Sequence, residues 1–144
     1  MECDDLSSFL IILATNIDQR KADEQIPVVV IEDDRGTREG LGMLINGTPG
    51  YRCVKTFRSV EDALREPGGE TPRVLLLDID LPGMSGSDGV ALLKQKYPSV
   101  EILMLTVYAE QDKVFQSICN GASGYLLKET APARLLSIRP RRRP

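Results

Sequence analysis

An α/β fold, a doubly wound sheet of five parallel strands with helices on both faces, is what this sequence predicts, and three observations predict it. Short apolar runs alternate with amphipathic stretches along most of the 144 residues. The runs at 27–32, 73–78 and 100–106 are nearly continuous in Val, Ile and Leu, the pattern of strands covered on both faces. Each run gives way to turn residues and then to a helix-like period, as β-α units with right-handed crossovers require.

The elements follow in order. A first strand at 27–32 carries Val28, Val29, Val30 and Ile31, and a helix is read over Arg38–Asn46 from Leu41, Leu44 and Ile45, weakened by Gly40 and Gly42. A second strand at 51–57 leads to a helix that opens on the cap Ser59 with Glu61 and Asp62 in its first turn, and Pro67-Gly68-Gly69 ends it. After the third strand at 73–78, a helix spans about 88–97, with Val90, Leu93 and Tyr97 on one stripe. The fourth strand at 100–106 precedes a helix at about 109–120, in which Val114, Phe115 and Ile118 are expected to face inward, and Gly121 stops it. A last strand at 123–127 is followed by a short helix at 132–138 that Pro140 cannot continue. That helix reaches only about 12 Å, against ~17–20 Å for a strand, so one sheet face is expected to stay partly open there.

This divides the chain into an extension at 1–26, a folded domain at 27–138 and a basic Pro/Arg tail at 139–144. The apolar segment Phe9–Ala14 is too short to span a membrane and follows an acidic start, so neither an anchor nor a signal peptide is expected. Of the 18 basic residues, four are Arg139, Arg141, Arg142 and Arg143, so the folded part is more acidic than the net charge of −3 suggests. Such a surface argues against broad phosphate-backbone binding, and four arginines interrupted by proline form no groove-reading helix, so DNA binding by this chain is not expected. Three cysteines, widely spaced and outside any CxxC pair, suggest neither a disulfide framework nor zinc, and fit a reducing cytoplasm. The chain has no histidine, which excludes Ser-His and Cys-His nucleophile pairs, histidine-ligated metals and a phosphohistidine donor.

Chemistry-bearing residues gather at one sheet edge. Glu32 and Asp33 close the first strand, Asp78 the third, Thr106 the fourth and Lys128 the fifth. In an open parallel sheet all of these fall outside the carboxyl ends of the strands, where ligands bind. Singly, each has an ordinary reading: a solvated turn acid, a locally bonded threonine, a surface lysine. Together they supply oxygens for a hard cation, a carboxylate nucleophile, a hydroxyl and an ammonium, the parts needed to accept a phosphoryl group. Asp34 reads as a helix cap, Arg38 as a packed stem that meets an acid, and Gly83 and Gly86 as turn residues that permit positive φ.

Four segments carry a resemblance: Val30-Ile31-Glu32-Asp33-Asp34, Leu76-Leu77-Asp78-Ile79-Asp80-Leu81-Pro82-Gly83-Met84-Ser85-Gly86, Leu105-Thr106, and Gly121-Ala122-Ser123-Gly124-Tyr125-Leu126-Leu127-Lys128. In order and spacing they resemble response-regulator receiver domains of two-component signalling, from about Val28 to Leu136. The last segment, followed by Glu129-Thr130, is most similar to receivers attached to a LuxR-type helix-turn-helix. The resemblance implies a flavodoxin-like receiver fold with Asp78 as phosphoacceptor. It implies Mg²⁺ held by Glu32 and Asp33, directly or through water, by Asp78 and by the backbone carbonyl of Asp80. Lys128 would pair with Asp78 and then with a phosphoryl oxygen, and Thr106 would bond another and draw its loop inward. Tyr125 would change rotamer as the switch; its ordinary alternative is a half-buried aromatic with a wet hydroxyl. A sensor histidine kinase is the implied phosphodonor, and a second copy of the chain is a further candidate partner.

Two departures from that pattern stand out. Ser87 takes a place where similar receivers carry an aliphatic, and is expected to loosen the adjoining loop. The final helix is truncated, from which a missing DNA-binding domain and an incomplete output surface are expected. Two rival readings remain. One is a Mg²⁺-dependent phosphatase of the haloacid-dehalogenase type using Asp78 and Asp80, although Pro82 stands where that motif wants Thr or Val. The other is a flavin- or nucleotide-binding module, although no glycine-rich loop follows the first strand.

Overall fold

The structure, a computed structural model, describes residues 25–107 and 111–128. The expectations for 1–24, for a helix at 132–138 and for the tail lie outside the described residues. Five parallel strands, β1 (Ile26–Ile31), β2 (Tyr51–Phe57), β3 (Val74–Asp78), β4 (Glu101–Thr106) and β5 (Gly124–Leu127), form one sheet in the order β2-β1-β3-β4-β5. Between them run α1 (Arg35–Asn46), α2 (Val60–Arg65), α3 (Gly86–Lys96) and α4 (Gln111–Cys119). That is the flavodoxin-like order, whose direction reverses between β1 and β3 and opens a crevice there at the strand carboxyl ends.

Side chains of the strands alternate between two cores. Val28 and Val30, with Leu76, Leu103, Leu105 and Leu126, pack with Leu41 and Ile45 of α1. Val29 and Ile31, with Leu75, Leu77, Ile102 and Met104, pack with Val60 and Ala63 of α2 and Val90 and Leu93 of α3. The central strands are therefore buried on both faces, as their unbroken Val/Ile/Leu runs require. At the β4–β5 end Leu103, Leu105 and Leu126 are at most 2% exposed.

α1 begins three residues earlier than the apolar period indicates, since Asp34 caps it: its carboxylate accepts from the Thr37 N–H at 2.8 Å. α2 is short, and its carboxyl end is held from outside. Lys96 of α3 donates to the carbonyls of Ala63 (2.8 Å), Leu64 (3.2 Å) and Glu66 (2.6 Å), satisfying groups that a helix end leaves unpaired. Gly89 permits the close approach of the two helices, because a Cβ there would lie 2.9 Å from the Val60 methyls. The expected inward stripe of α4 is corrected: Phe115 is 70% and Ile118 is 41% exposed, while Ser117 is buried and Val114 half-buried. The helix sits one position round from where its largest apolar residues would have placed it.

Candidate functional site

The acidic residues at the reversal of strand order meet. One carboxylate oxygen from each of Glu32, Asp33 and Asp78 lies within 4.8 Å of the others. Glu32 follows the last residue of β1 and is fully buried; Asp78 ends β3 and is 1% exposed; Asp33 is exposed at the mouth. The loop that carries the first two is fixed by Arg38, whose guanidinium donates to the carbonyls of Glu32 (2.9 Å) and Asp33 (3.3 Å). Arg38 thus meets backbone oxygens, not the acid expected of it, because the β1–α1 loop turns its carbonyls toward the first turn of the helix.

Lys128 follows β5 and reaches across the pocket. Its ammonium stands 2.8 Å from Oε1 of Glu32 and 3.1 Å from Oδ2 of Asp78. The Asp34 N–H donates to Oε2 of Glu32 at 3.0 Å, and the Asp80 N–H to Oδ1 of Asp78 at 3.1 Å. Lys128 thus engages both buried carboxylates at once. Two buried carboxylates beside one ammonium leave an excess of negative charge. Burial, then the charge on Glu32, push the Asp78 carboxyl up to about 7 against the opposing pull of Lys128 and the Asp80 N–H. Burial alone would lower the Lys128 ammonium, but the two carboxylates outweigh it and the net shift is upward.

An all-oxygen cluster of three carboxylates with surplus negative charge fits a hard divalent cation such as Mg²⁺, which takes carboxylates and keeps several waters. Glu32, Asp33 and Asp78 are the groups that can hold it. The carboxylate of Asp80 is turned elsewhere, with its Oδ1 2.9 Å from Lys113 on α4.

Thr106 ends β4 one position beyond Leu105, the register partner of Asp78, and is 1% exposed. It pairs in register with Leu127, next to Lys128. The register thus carries Asp78, Thr106 and Lys128 to one edge. Tyr125 pairs with Met104 and is half-buried against the α2/α3 core, so it belongs to the sheet beside the pocket rather than to the acid cluster.

The two turn glycines differ. Gly83 has φ +77, the left-handed region that glycine adopts without cost. Gly86, expected to share it, is helical; a Cβ there would collide with the carbonyl oxygen of Asp78, so close approach is what demands glycine. Ser87 is buried, its hydroxyl 3.3 Å from that of Ser85 and its carbonyl accepting from Asn120 at 2.8 Å. Glu61 is the residue sequence reasoning passed over. Read as a first-turn acid, it instead leaves its helix and accepts from the Met84 N–H at 2.9 Å, across 23 residues of sequence. Nothing in its local pattern separates it from Asp62.

A doubly wound sheet with this strand order and a buried Glu-Asp-Lys cluster at the reversal defines the class of flavodoxin-like α/β domains with a cation-type acidic pocket. Within that class the match is specific: residues 28–138 match the response regulator receiver domain family, and the chain belongs to it, as a receiver domain of a two-component response regulator. Among curated relatives, the transcriptional regulatory protein DegU of Brevibacillus brevis is 33% identical over 107 residues, covering 74% of this chain and 45% of DegU. The transcriptional activator protein ExaE of Pseudomonas putida is 34% identical over 113 residues, covering 76% and 51%. The chain thus spans about half the length of the curated relatives it matches. Among solved structures, the signal receiver domain of NarL from Mycobacterium tuberculosis superposes with a TM-score of 0.71 at 27% identity, over 78% of this chain and 91% of that one. A LuxR-family response regulator from Aurantimonas sp. SI85-9A1 gives 0.69 at 26% identity, over 82% and 90%.

Proposed function

We propose that this domain is a phosphoacceptor switch that takes a phosphoryl group on Asp78 from a phosphohistidine of a sensor histidine kinase. The observation that carries the reading is the meeting of buried Glu32 and Asp78 with the half-buried Lys128, two carboxylates facing one ammonium at 2.8 and 3.1 Å. Glu32, Asp33, Asp78 and the backbone carbonyl of Asp80 would hold Mg²⁺. When bound, the ion supplies charge neutralisation for the transferred group.

In the transfer, a carboxylate oxygen of Asp78 forms the new P–O bond as the P–N bond to the imidazole breaks, and the imidazole leaves with the electron pair. Lys128 pairs with Asp78 beforehand and with a phosphoryl oxygen afterwards, a task suited to a mobile point charge. Thr106 donates its hydroxyl to another phosphoryl oxygen and draws its loop inward, and Tyr125 repacks against the sheet in response. The added charge of about −1.5 to −2 biases two existing packings rather than making a new one. The names of the curated relatives support transcription control as the output, and we infer a cytoplasmic location and a second copy of the chain as one partner. Among the described residues, no helix is long and apolar enough to cross a membrane.

Incubation with Mg²⁺ and acetyl phosphate, read by intact mass, tests the assignment. One added phosphate in the wild type and none in Asp78→Asn is the expected result; labelling that survives the substitution would move the site elsewhere.

A further inference from the structure

The loop between β3 and α3 carries Asp80 and is held from three sides. On the sheet side, the Gly86 N–H donates to the Ile79 carbonyl at 2.8 Å. On the α4 side, Lys113 holds the Asp80 carboxylate. On the α2 side the tie is Glu61. Its Oε2 accepts from the Met84 N–H at 2.9 Å, and a Cβ on Gly83 would lie only 2.7 Å from the same oxygen. The carboxylate therefore lies on the bare face of a glycine in the left-handed region, and the two residues fit as a pair. The bond also draws the Glu61 carboxyl below its ordinary range, chiefly through that N–H.

A first-turn acid ordinarily serves its own helix, through the dipole and the exposed N–H groups. Here Ser59 performs the capping, accepting from the Asp62 N–H at 3.0 Å, and Asp62 pairs with Arg65 on the same helix. Glu61 is thereby spared for the loop. Its other oxygen, Oε1, is buried, and the residue's own N–H helps to hold the carboxylate below its ordinary range.

We propose that Glu61 is a positioning residue for the acidic pocket: by clamping Gly83 and Met84 it fixes the path of the loop from Asp78 to Ser85, and so the placement of the Asp80 carbonyl toward a bound cation. The inference rests on the reading of Asp78 and Asp80 as the phosphoacceptor segment. Groups behind metal ligands that orient them weaken affinity when lost, by roughly tenfold at the lower end.

The test compares the full chain with Glu61→Ala, Glu61→Gln and Gly83→Ala. Mg²⁺ affinity is measured by calorimetry, Met84 amide exchange by NMR, and phosphorylation by acetyl phosphate across a Mg²⁺ series. Glu61→Ala should weaken Mg²⁺ binding roughly tenfold and speed Met84 exchange, with the phosphorylation rate restored at saturating Mg²⁺. Glu61→Gln keeps an acceptor for the Met84 N–H and should stay within about twofold of wild type, as expected when the hydrogen bond and not the charge is what counts. Gly83→Ala adds backbone strain at φ +77 to a displaced carboxylate, so it should weaken Mg²⁺ binding at least as much as Glu61→Ala. Mg²⁺ affinity unchanged in Glu61→Ala, or lost equally in Glu61→Gln, overturns the proposal while wild-type phosphorylation still stands. A wild type that binds Mg²⁺ but takes no phosphate overturns the phosphoacceptor reading and leaves the Glu61 comparison to be decided by affinity and exchange.

Discussion

α3 and α4 lie side by side over the same sheet, yet they are attached by different forces. α3 buries Val90 and Leu93 completely and lets Gly89 meet Val60, so its position is set by close packing. α4 turns Phe115 and Ile118 to solvent and seats Val114 half-buried on the α2/α3 core, and the rest of its described ties to the α3 side are polar: Lys113 to Asp80, Gln116 to Asp88 at 3.3 Å, and Asn120 to the Ser87 carbonyl at 2.8 Å. Packed apolar surface has one good arrangement, whereas exposed polar ties can be exchanged for water at little cost. The acidic pocket touches both helices through one loop, so a change of charge there meets a fixed wall on the α2/α3 side and a movable one on the α4 side.

The contrast can be broken by attacking the packed wall. Leu93→Ala should cost about 2–5 kcal/mol in urea denaturation, the range for a buried leucine whose cavity does not refill; a loss near zero would show that α3 is not seated as described. Next in size is the charge between the two walls. For an acid whose native value is raised to about 7 from 3.8, the folded state binds more protons than the unfolded chain between those values. Without metal, stability from this group should therefore fall as pH rises from about 4 to about 7 and level off above. Asp78→Asn should remove that slope and raise stability at pH 8 by on the order of 1–2 kcal/mol.

The movable wall should respond less. Lys113→Ala, which removes an ion pair with both partners about half exposed, should cost about 0.2–1 kcal/mol and less at high salt, measured by thermal unfolding across a salt series. Smallest of all, Phe115→Ser should change stability by no more than about 0.5 kcal/mol. A large loss there would mean that the exposed aromatic is covered in the working protein, and sedimentation of the same variant would show whether a second copy does the covering.

How much of this was readable in the sequence depends on which force set each element. The strands were legible to within a residue, because unbroken Val, Ile and Leu runs state two-sided burial directly. The starts of α1 and α3 were placed two or three residues late, since Gly36, Gly86 and Ser87 interrupt the apolar period where a cap or a close backbone contact governs instead. Phe115 and Ile118 misled because size was taken for burial; the buried position of that helix is Ser117, whose hydroxyl is satisfied by the Lys113 carbonyl at 2.8 Å. In the pocket, Glu32, Asp33, Asp78 and Lys128 were recoverable because strand ends in a parallel sheet converge by topology. Glu61, Lys96 and Lys113 were not, since each acts on a backbone or side-chain group 23 to 33 residues away and local pattern is blind to such reach.

Lys96 has a consequence for how the chain assembles. A six-residue helix is far below the length that persists alone in water, about 12–15 residues even for favourable sequences. Its last carbonyls accept from the N–H groups of Glu66 and Gly68 and, in addition, from an ammonium that arrives on α3, so α2 gains support when α3 docks. The contact makes α2 lean on its neighbour, and on transient opening α2 is expected to be released early, which amide exchange along residues 60–65 would show.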